Sequence, residues 1–311
     1  MDIVLLFPGQ GSQKPGMGKD LADAFAPACR VFEEADRALG FPLSSLCFAG
    51  PEDQLTSTQN AQPALLAHSA AAWAVVKEHI AQRVRAAAGH SVGEFSAYYA
   101  AGAFTLADAL RLVRRRGELM YESGVQRPGA MAAIIGLSES VVEDVCRRAS
   151  QDGAVVPANY NTPEQLVISG EVAGVERAMA LAKEAGAKRA LRLNVSGAFH
   201  SPLMEVAAAG LDGALATTPL VAPAFPVYSN VSARPSEGMD DAKRLLVRQL
   251  TAAVRWTELV RNLASGHPGA LFVEVGTGTV LSNLVKRIVP QAQTATCGTV
   301  SDVAQLLERV A

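Results

Sequence analysis

Gly89-His90-Ser91-Val92-Gly93-Glu94 sets a hydroxyl between two glycines at the spacing G-x-S-x-G. A serine nucleophile needs a sharp turn from the end of a strand into a helix, and glycines two residues to either side let backbone segments approach closely enough to form one. The turn lifts the Oγ clear of the strand. It also sets it at a helix N-terminus, where unpaired N–H groups can hold the oxyanion of a tetrahedral intermediate. The pattern alone arises by chance in roughly one chain in ten of this length, so the flanks decide. An alanine-rich run, Val84 to Ala88, precedes Gly89, and a helix-forming stretch, Phe95 to Ala101, follows Gly93. Ser91 is therefore the candidate nucleophile, and the chemistry is covalent catalysis at a carbonyl.

Such a serine needs a base. Of five histidines, His68 and His79 share one helix, His267 sits in a Gly/Pro loop, and His90 adjoins Ser91 but should point elsewhere. His200 follows a strand pattern and precedes a helix that Pro202 can start. A lone histidine is more often structural than catalytic, but a serine nucleophile requires a base within hydrogen-bond reach, and His200 is the best placed. No Asp or Glu stands at an obvious strand end between Ser91 and His200 in the hydrolase order. The expectation is a dyad whose imidazole is oriented by a backbone carbonyl or an amide.

The third group is a guanidinium. At 100° per residue, Ala109, Leu112, Val113, Leu119 and Met120 all fall within about 60° of Arg116, and Arg114 lies roughly opposite. Arg116 thus lies on the buried face and needs an anionic partner or full hydrogen bonding. One reading pairs it with an internal carboxylate such as Glu94. The other places it in the pocket beside Ser91, pairing bidentately with a substrate carboxylate and selecting a dicarboxylic half-ester.

These side chains need a scaffold, and 311 residues with 49% hydrophobic and 19% charged content suit one large globular domain with an insertion, or two domains. A net charge of −2 and a pI near 6.2 give no electrostatic case for nucleic acid or an anionic membrane. Cys29, Cys47, Cys146 and Cys297 lie far apart without metal-type spacing and read as reduced thiols. With no secretory leader or spanning segment legible, the cytoplasm is the expected location.

Ile3 to Phe7 reads as a buried parallel strand leading into a glycine loop. Helical stretches follow at Gly18 to Ala26 and Pro27 to Leu39, and Pro63 is expected to open a helix over Ala64 to Gln82. Thr105 is a plausible cap for the helix that carries Arg116, with Asp108 in its first turn. From Met131 to Val195 the order β-α-β-β-α-β predicts a ferredoxin-like unit. Residues 127–196 are thus expected to form a small subdomain inserted into an α/β core made of residues 1–126 and 197–311. The remainder predicts two strands, Phe225 to Ser229 and Leu271 to Val275, a helix from Val280 to Val289, and a docking turn at Ala253-Val254-Arg255-Trp256.

Taken together, FPGQGSQ at Phe7 to Gln13, GHSVGE at Gly89 to Glu94, RRGELM at Arg115 to Met120, GAMAAIIGL at Gly129 to Leu137, GAFHSPLM at Gly197 to Met204, VRQL at Val247 to Leu250 and EVGTG at Glu274 to Gly278 resemble the malonyl-coenzyme A:acyl-carrier-protein transacylases. The resemblance covers essentially the full length. It implies an α/β-hydrolase-like core with a parallel sheet and an inserted ferredoxin-like (βαββαβ) subdomain. It implies Ser91 as acyl acceptor, His200 as base and Arg116 as clamp on the malonyl carboxylate. It further implies an oxyanion hole from the N–H groups of Gln10 and Val92, and Gln249 orienting His200 through its carbonyl. Phe199, in Ala-Phe-His, resembles the malonyl-selecting arrangement, and Met120 falls in the clamp motif. Asn159, Asn161 and Gln165 match positions near the thioester and pantetheine.

The implied reaction is ping-pong transfer from malonyl-coenzyme A to the phosphopantetheine thiol of an acyl carrier protein, with no cofactor or metal, performed by a monomer. A polyketide-synthase acyltransferase or the transferase subunit of a malonate decarboxylase would share this chemistry. A serine esterase or thioesterase would require an acidic triad partner, and a non-catalytic carrier-protein docking module would not require Ser91, His200 and Arg116.

Overall fold

The computed structural model describes all 311 residues. The first half of the chain runs β1 (Ile3–Phe7), α1 (Lys19–Ala24), α2 (Ala26–Leu39), α3 (Leu43–Ala49), α4 (Glu52–Thr56), α5 (Thr58–Ile80), β2 (Val84–Gly89), α6 (Gly93–Ala100) and α7 (Leu106–Gln126). Then come β3 (Gly129–Ile135), α8 (Glu139–Ala149), β4 (Val155–Thr162), β5 (Gln165–Glu171), α9 (Val172–Glu184) and β6 (Arg189–Arg192). The chain closes with α10 (Glu205–Thr217), β7 (Val227–Tyr228), α11 (Met239–Arg248), α12 (Trp256–Gly266), β8 (Leu271–Val275), α13 (Val280–Ile288), β9 (Gln293–Cys297) and α14 (Val300–Val310).

Two sheets result. The first has the order β7-β2-β1-β8-β9, every neighbouring pair parallel. Its central strand is apolar on both faces because helices cover both: Ile3, Leu5 and Phe7 join one core, Val4 and Leu6 the other. All five are essentially inaccessible to water, and such side chains contribute roughly 1.5–3 kcal/mol each. The second sheet is antiparallel, order β4-β5-β3-β6, with α8 and α9 packed on one face around a separate apolar cluster. The βαββαβ order in the middle of the chain is the one the sequence predicts. Val254, in the link between α11 and α12, ties β4 to the apolar cluster on one face of the parallel sheet. Its N–H donates to the Ala158 carbonyl (2.8 Å) and its carbonyl accepts from the Tyr160 N–H (2.9 Å).

The structure corrects three sequence expectations. Helix α5 begins at Thr58, with Pro63 inside it rather than at its start. Proline has no N–H for the carbonyl four residues back, here that of Gln59, and Arg114 from α7 donates to that carbonyl instead (3.1 Å). The tail holds a further strand, β9, a poorly apolar edge strand that the search for hydrophobic runs passes over, and the amphipathic helices α12 and α14. The short helices α3 and α4 also lie in what reads as loop.

The Thr105 cap forms as expected, its side chain accepting from the Asp108 N–H at 3.1 Å. At the end of β8 the buried Glu274 carboxylate accepts the Leu281 and Ser282 N–H groups at 3.0 and 2.8 Å, capping α13 from within the sheet. No helix is long and apolar enough to cross a membrane. All four cysteines are free, and burial pushes the Cys47, Cys146 and Cys297 thiols up to about 12.

Candidate active site

The elbow forms because two glycines leave room that no side chain could share. A Cβ on Gly89 would sit 1.8 Å from the Gly93 carbonyl carbon, and one on Gly93 would sit 2.1 Å from the Phe7 oxygen. Strand β2 thereby passes into α6 directly against the end of β1. Ser91 takes a left-handed backbone, φ 53°, a conformation that costs a non-glycine residue roughly 1–3 kcal/mol. Asn230, just past β7, braces the turn: its Oδ1 accepts the Ser91 N–H and its Nδ2 donates to the Gly89 carbonyl, both at 2.7 Å.

His200 also has a left-handed backbone, φ 57°, in the link between β6 and α10. Its Nε2 lies 2.8 Å from Ser91 Oγ and its Nδ1 lies 2.8 Å from the Gln249 backbone carbonyl. A carbonyl can only accept, so Nδ1 carries the proton, Nε2 is the bare nitrogen, and the serine hydroxyl donates to it. No carboxylate touches the imidazole. Burial first, and the nearby Arg116 cation second, push its pKa down to about 3, which keeps the ring neutral at physiological pH.

Arg116 is 1% exposed and packs over the Phe95 ring. Its Nη1 donates to Gln62 Oε1 at 2.6 Å, and its Nη2 donates to Gln249 Oε1 at 2.8 Å and Ser91 Oγ at 3.1 Å. The direct salt bridge to Glu94 that one sequence reading allows is not formed. Glu94 stands one residue further back, accepting from Gln249 Nε2 at 2.7 Å. Burial lowers the Arg116 pKa to about 9, with Glu94 opposing. The guanidinium is therefore a cation at neutral pH, held by neutral oxygens beside the serine. It is disposed to receive an anion.

Gln10 follows β1 and Val92 follows Ser91, so both lie at the carboxyl ends of adjacent parallel strands, where open α/β sheets bind ligands. Neither backbone N–H has an acceptor within the chain, and the Gln10 amide donates to Thr58 Oγ1 at 3.1 Å. Met120 is buried, its sulfur accepting from Gln62 Nε2 at 3.3 Å, which turns the Gln62 oxygen toward Arg116. Phe199 is buried next to His200.

Asn159 is buried on β4, where it bridges to Val254. Asn161 Oδ1 can only accept, so His90 Nε2 carries the proton and donates to it at 2.9 Å. His90 thus points away from Ser91. Gln165 lies apart, its Oε1 accepting from Arg287 at 3.2 Å.

Two residues in this network escape sequence reasoning. Gln62 is a lone amide in the apolar stretch Ala61 to Ala67, a visible signal lost when the helix is started at Pro63. Asn230 stands one residue beyond a predicted strand, and only the pairing of β7 with β2 brings it to the elbow.

The acyl transferase domain family matches residues 4–305. A malonyl CoA-acyl carrier protein transacylase of Bacillus subtilis (strain 168) is 46% identical over 287 residues, 92% of this chain and 90% of that protein. The crystal structure of an acyl-carrier-protein S-malonyltransferase from Bartonella henselae superposes with a TM-score of 0.95 at 42% identity, covering 100% of this chain and 99% of the other. A malonyl-transacylase solved in complex with a type II polyketide-synthase acyl-carrier protein gives a TM-score of 0.95 at 41% identity, covering 99% and 100%.

Proposed function

The chain belongs to the acyl transferase domain family, and on that premise we propose that it carries a malonyl group from malonyl-coenzyme A, through an ester on Ser91, to the phosphopantetheine thiol of an acyl carrier protein. It is an acyl-carrier-protein S-malonyltransferase and supplies extender units for fatty acid synthesis. The observation that carries the site assignment is the Ser91 Oγ, 2.8 Å from a neutral imidazole and 3.1 Å from a buried guanidinium.

In the first half-reaction His200 Nε2 takes the hydroxyl proton as Ser91 Oγ adds to the thioester carbonyl. The oxyanion enters the Gln10 and Val92 N–H pair. Collapse breaks the carbon–sulfur bond, and the coenzyme A thiolate leaves with the proton from Nε2. In the second half-reaction the pantetheine thiol gives its proton to Nε2 and attacks the ester, and Ser91 recovers the proton as it departs.

Arg116 pairs with the malonyl carboxylate, fixing the acyl group and supporting selection of a dicarboxylic half-ester. Phe199 and Met120 bound the acyl pocket, and Asn159 and Asn161 line the approach from the smaller sheet. Every proton rests on a named atom, so the chemistry calls on no metal or redox group.

In this reading residues 127–196 form the subdomain against which pantetheine lies, and the chain works as a cytoplasmic monomer, since one copy supplies every group named. A polyketide carrier protein as acceptor is the second reading, favoured by the complex of the similar transacylase with such a protein. Mixing the protein with malonyl-coenzyme A should add one malonyl mass to the wild type and none to Ser91→Ala by intact mass spectrometry. Labelling that persists in the variant removes Ser91 from the mechanism.

A further inference from the structure

The buried Glu94 has no partner role in the dyad, yet its carboxylate stands behind both arms of the site. It is fully inaccessible, in the first turn of α6. One oxygen, Oε2, accepts the Asn230 N–H at 3.0 Å and Gln249 Nε2 at 2.7 Å; the other has no partner. Gln249 is the junction. Its side-chain nitrogen faces Glu94, its side-chain oxygen faces Arg116 at 2.8 Å, and its backbone oxygen faces His200 Nδ1 at 2.8 Å.

An amide can be turned over with little change of shape, and the turned form would aim N–H groups at the Arg116 cation. Burial raises the Glu94 pKa to about 7; above that pH the ionised carboxylate forbids the turned form because it can only accept. Resting on the function proposed above, we infer that Glu94 is a positioning residue that locks the Gln249 amide with its oxygen toward Arg116 and, as the nearest internal anion, keeps that guanidinium charged to receive the substrate carboxylate. The arrangement resolves how a buried cation persists with no carboxylate in contact. A direct ion pair would compete with the malonyl group, whereas an anion set back behind an amide holds the charge and leaves the guanidinium with only neutral partners.

The other titratable groups facing the pair are His200 beside Arg116 and Tyr98 beside Glu94. Burial raises Tyr98 well above its usual value and lowers His200 to about 3, so neither changes charge near neutrality. Removing the Glu94 charge takes away the one cause that raises the Arg116 pKa, which burial already lowers to about 9.

The test is Glu94→Gln, read by acylation kinetics with malonyl- and acetyl-coenzyme A. The malonyl KM should rise about tenfold, the loss expected for one charge-assisted contact, while acetyl transfer changes less. The alkaline limb of malonyl kcat/KM should move to lower pH, and Glu94→Asp, which keeps the charge, should restore that limb. Gln249→Met keeps the carbonyl beneath His200 and removes only the bridging amide; it should reproduce the KM rise, and it decides alone if Glu94→Gln does not fold. An unchanged malonyl KM and limb, or equal losses with both donors in every variant, overturns the inference. Wild type that never acquires malonyl overturns the function instead, so the two failures are distinct.

Discussion

Arg116 reaches Ser91 by an oxygen-to-nitrogen distance of 3.1 Å and yet touches no carboxylate. Its charge has one use that its neighbours leave open, the binding of an incoming anion. Arg116→Ala should lower malonyl transfer by about 10²-fold or more, as for loss of a buried charge-assisted pair, while sparing or raising use of acetyl-coenzyme A. Steady-state kinetics with both donors checks this, and equal loss would refute the clamp. The helical period alone puts Arg116 on the buried face, and the glycine spacing together with its strand-like and helix-like flanks picks out Ser91. What the sequence hides at this scale is Gln62 and Asn230, because amides carry no motif and become informative only when a fold aims them.

Helix α5 shows why the boundaries of elements are harder to read than their existence. Proline is favoured in a first turn, so Pro63 reads as a start. The helix nevertheless runs through it because Arg114 of α7 donates to the orphaned Gln59 carbonyl and to Asn60 Oδ1. That substitution is a long-range event no local pattern records. Arg114→Met should cost about 1.5–3 kcal/mol in a denaturant titration, the range for a lost hydrogen bond to a charged group. Pro63→Ala, which restores the N–H, should recover part of that loss in the double variant; strict additivity would deny the link. The alternating βαββαβ pattern, by contrast, is legible because each strand and helix signals itself by its own period.

For the molecule as a whole, burial sets two groups of residues against each other as pH falls. Desolvation lowers the pKa of His68, His90 and His200 below the usual 6.5. Unfolded, these three bind protons below about pH 6.5; folded, they resist, so acid removes stability. Burial raises Glu94 and Glu274 above the usual 4.5, so between about pH 4.5 and their folded values the native state holds the extra protons, and acidification there favours folding. The carboxylates thus offset part of the histidine loss, so stability should fall only gently from about pH 6.5 to 4.5. Below that the carboxylates no longer oppose, and the slope should steepen. Unfolding free energies measured across this range check the break in slope; a uniform slope contradicts it.

The backbone bridge at Val254 carries one more consequence. Since β4 is laced to a segment almost a hundred residues downstream of it, residues 127–196 are not a detachable cassette. A chimaera that transplants them from a relative has to seat the donor's edge strand in register with the Ala253–Trp256 segment, or both main-chain bonds at Val254 are lost.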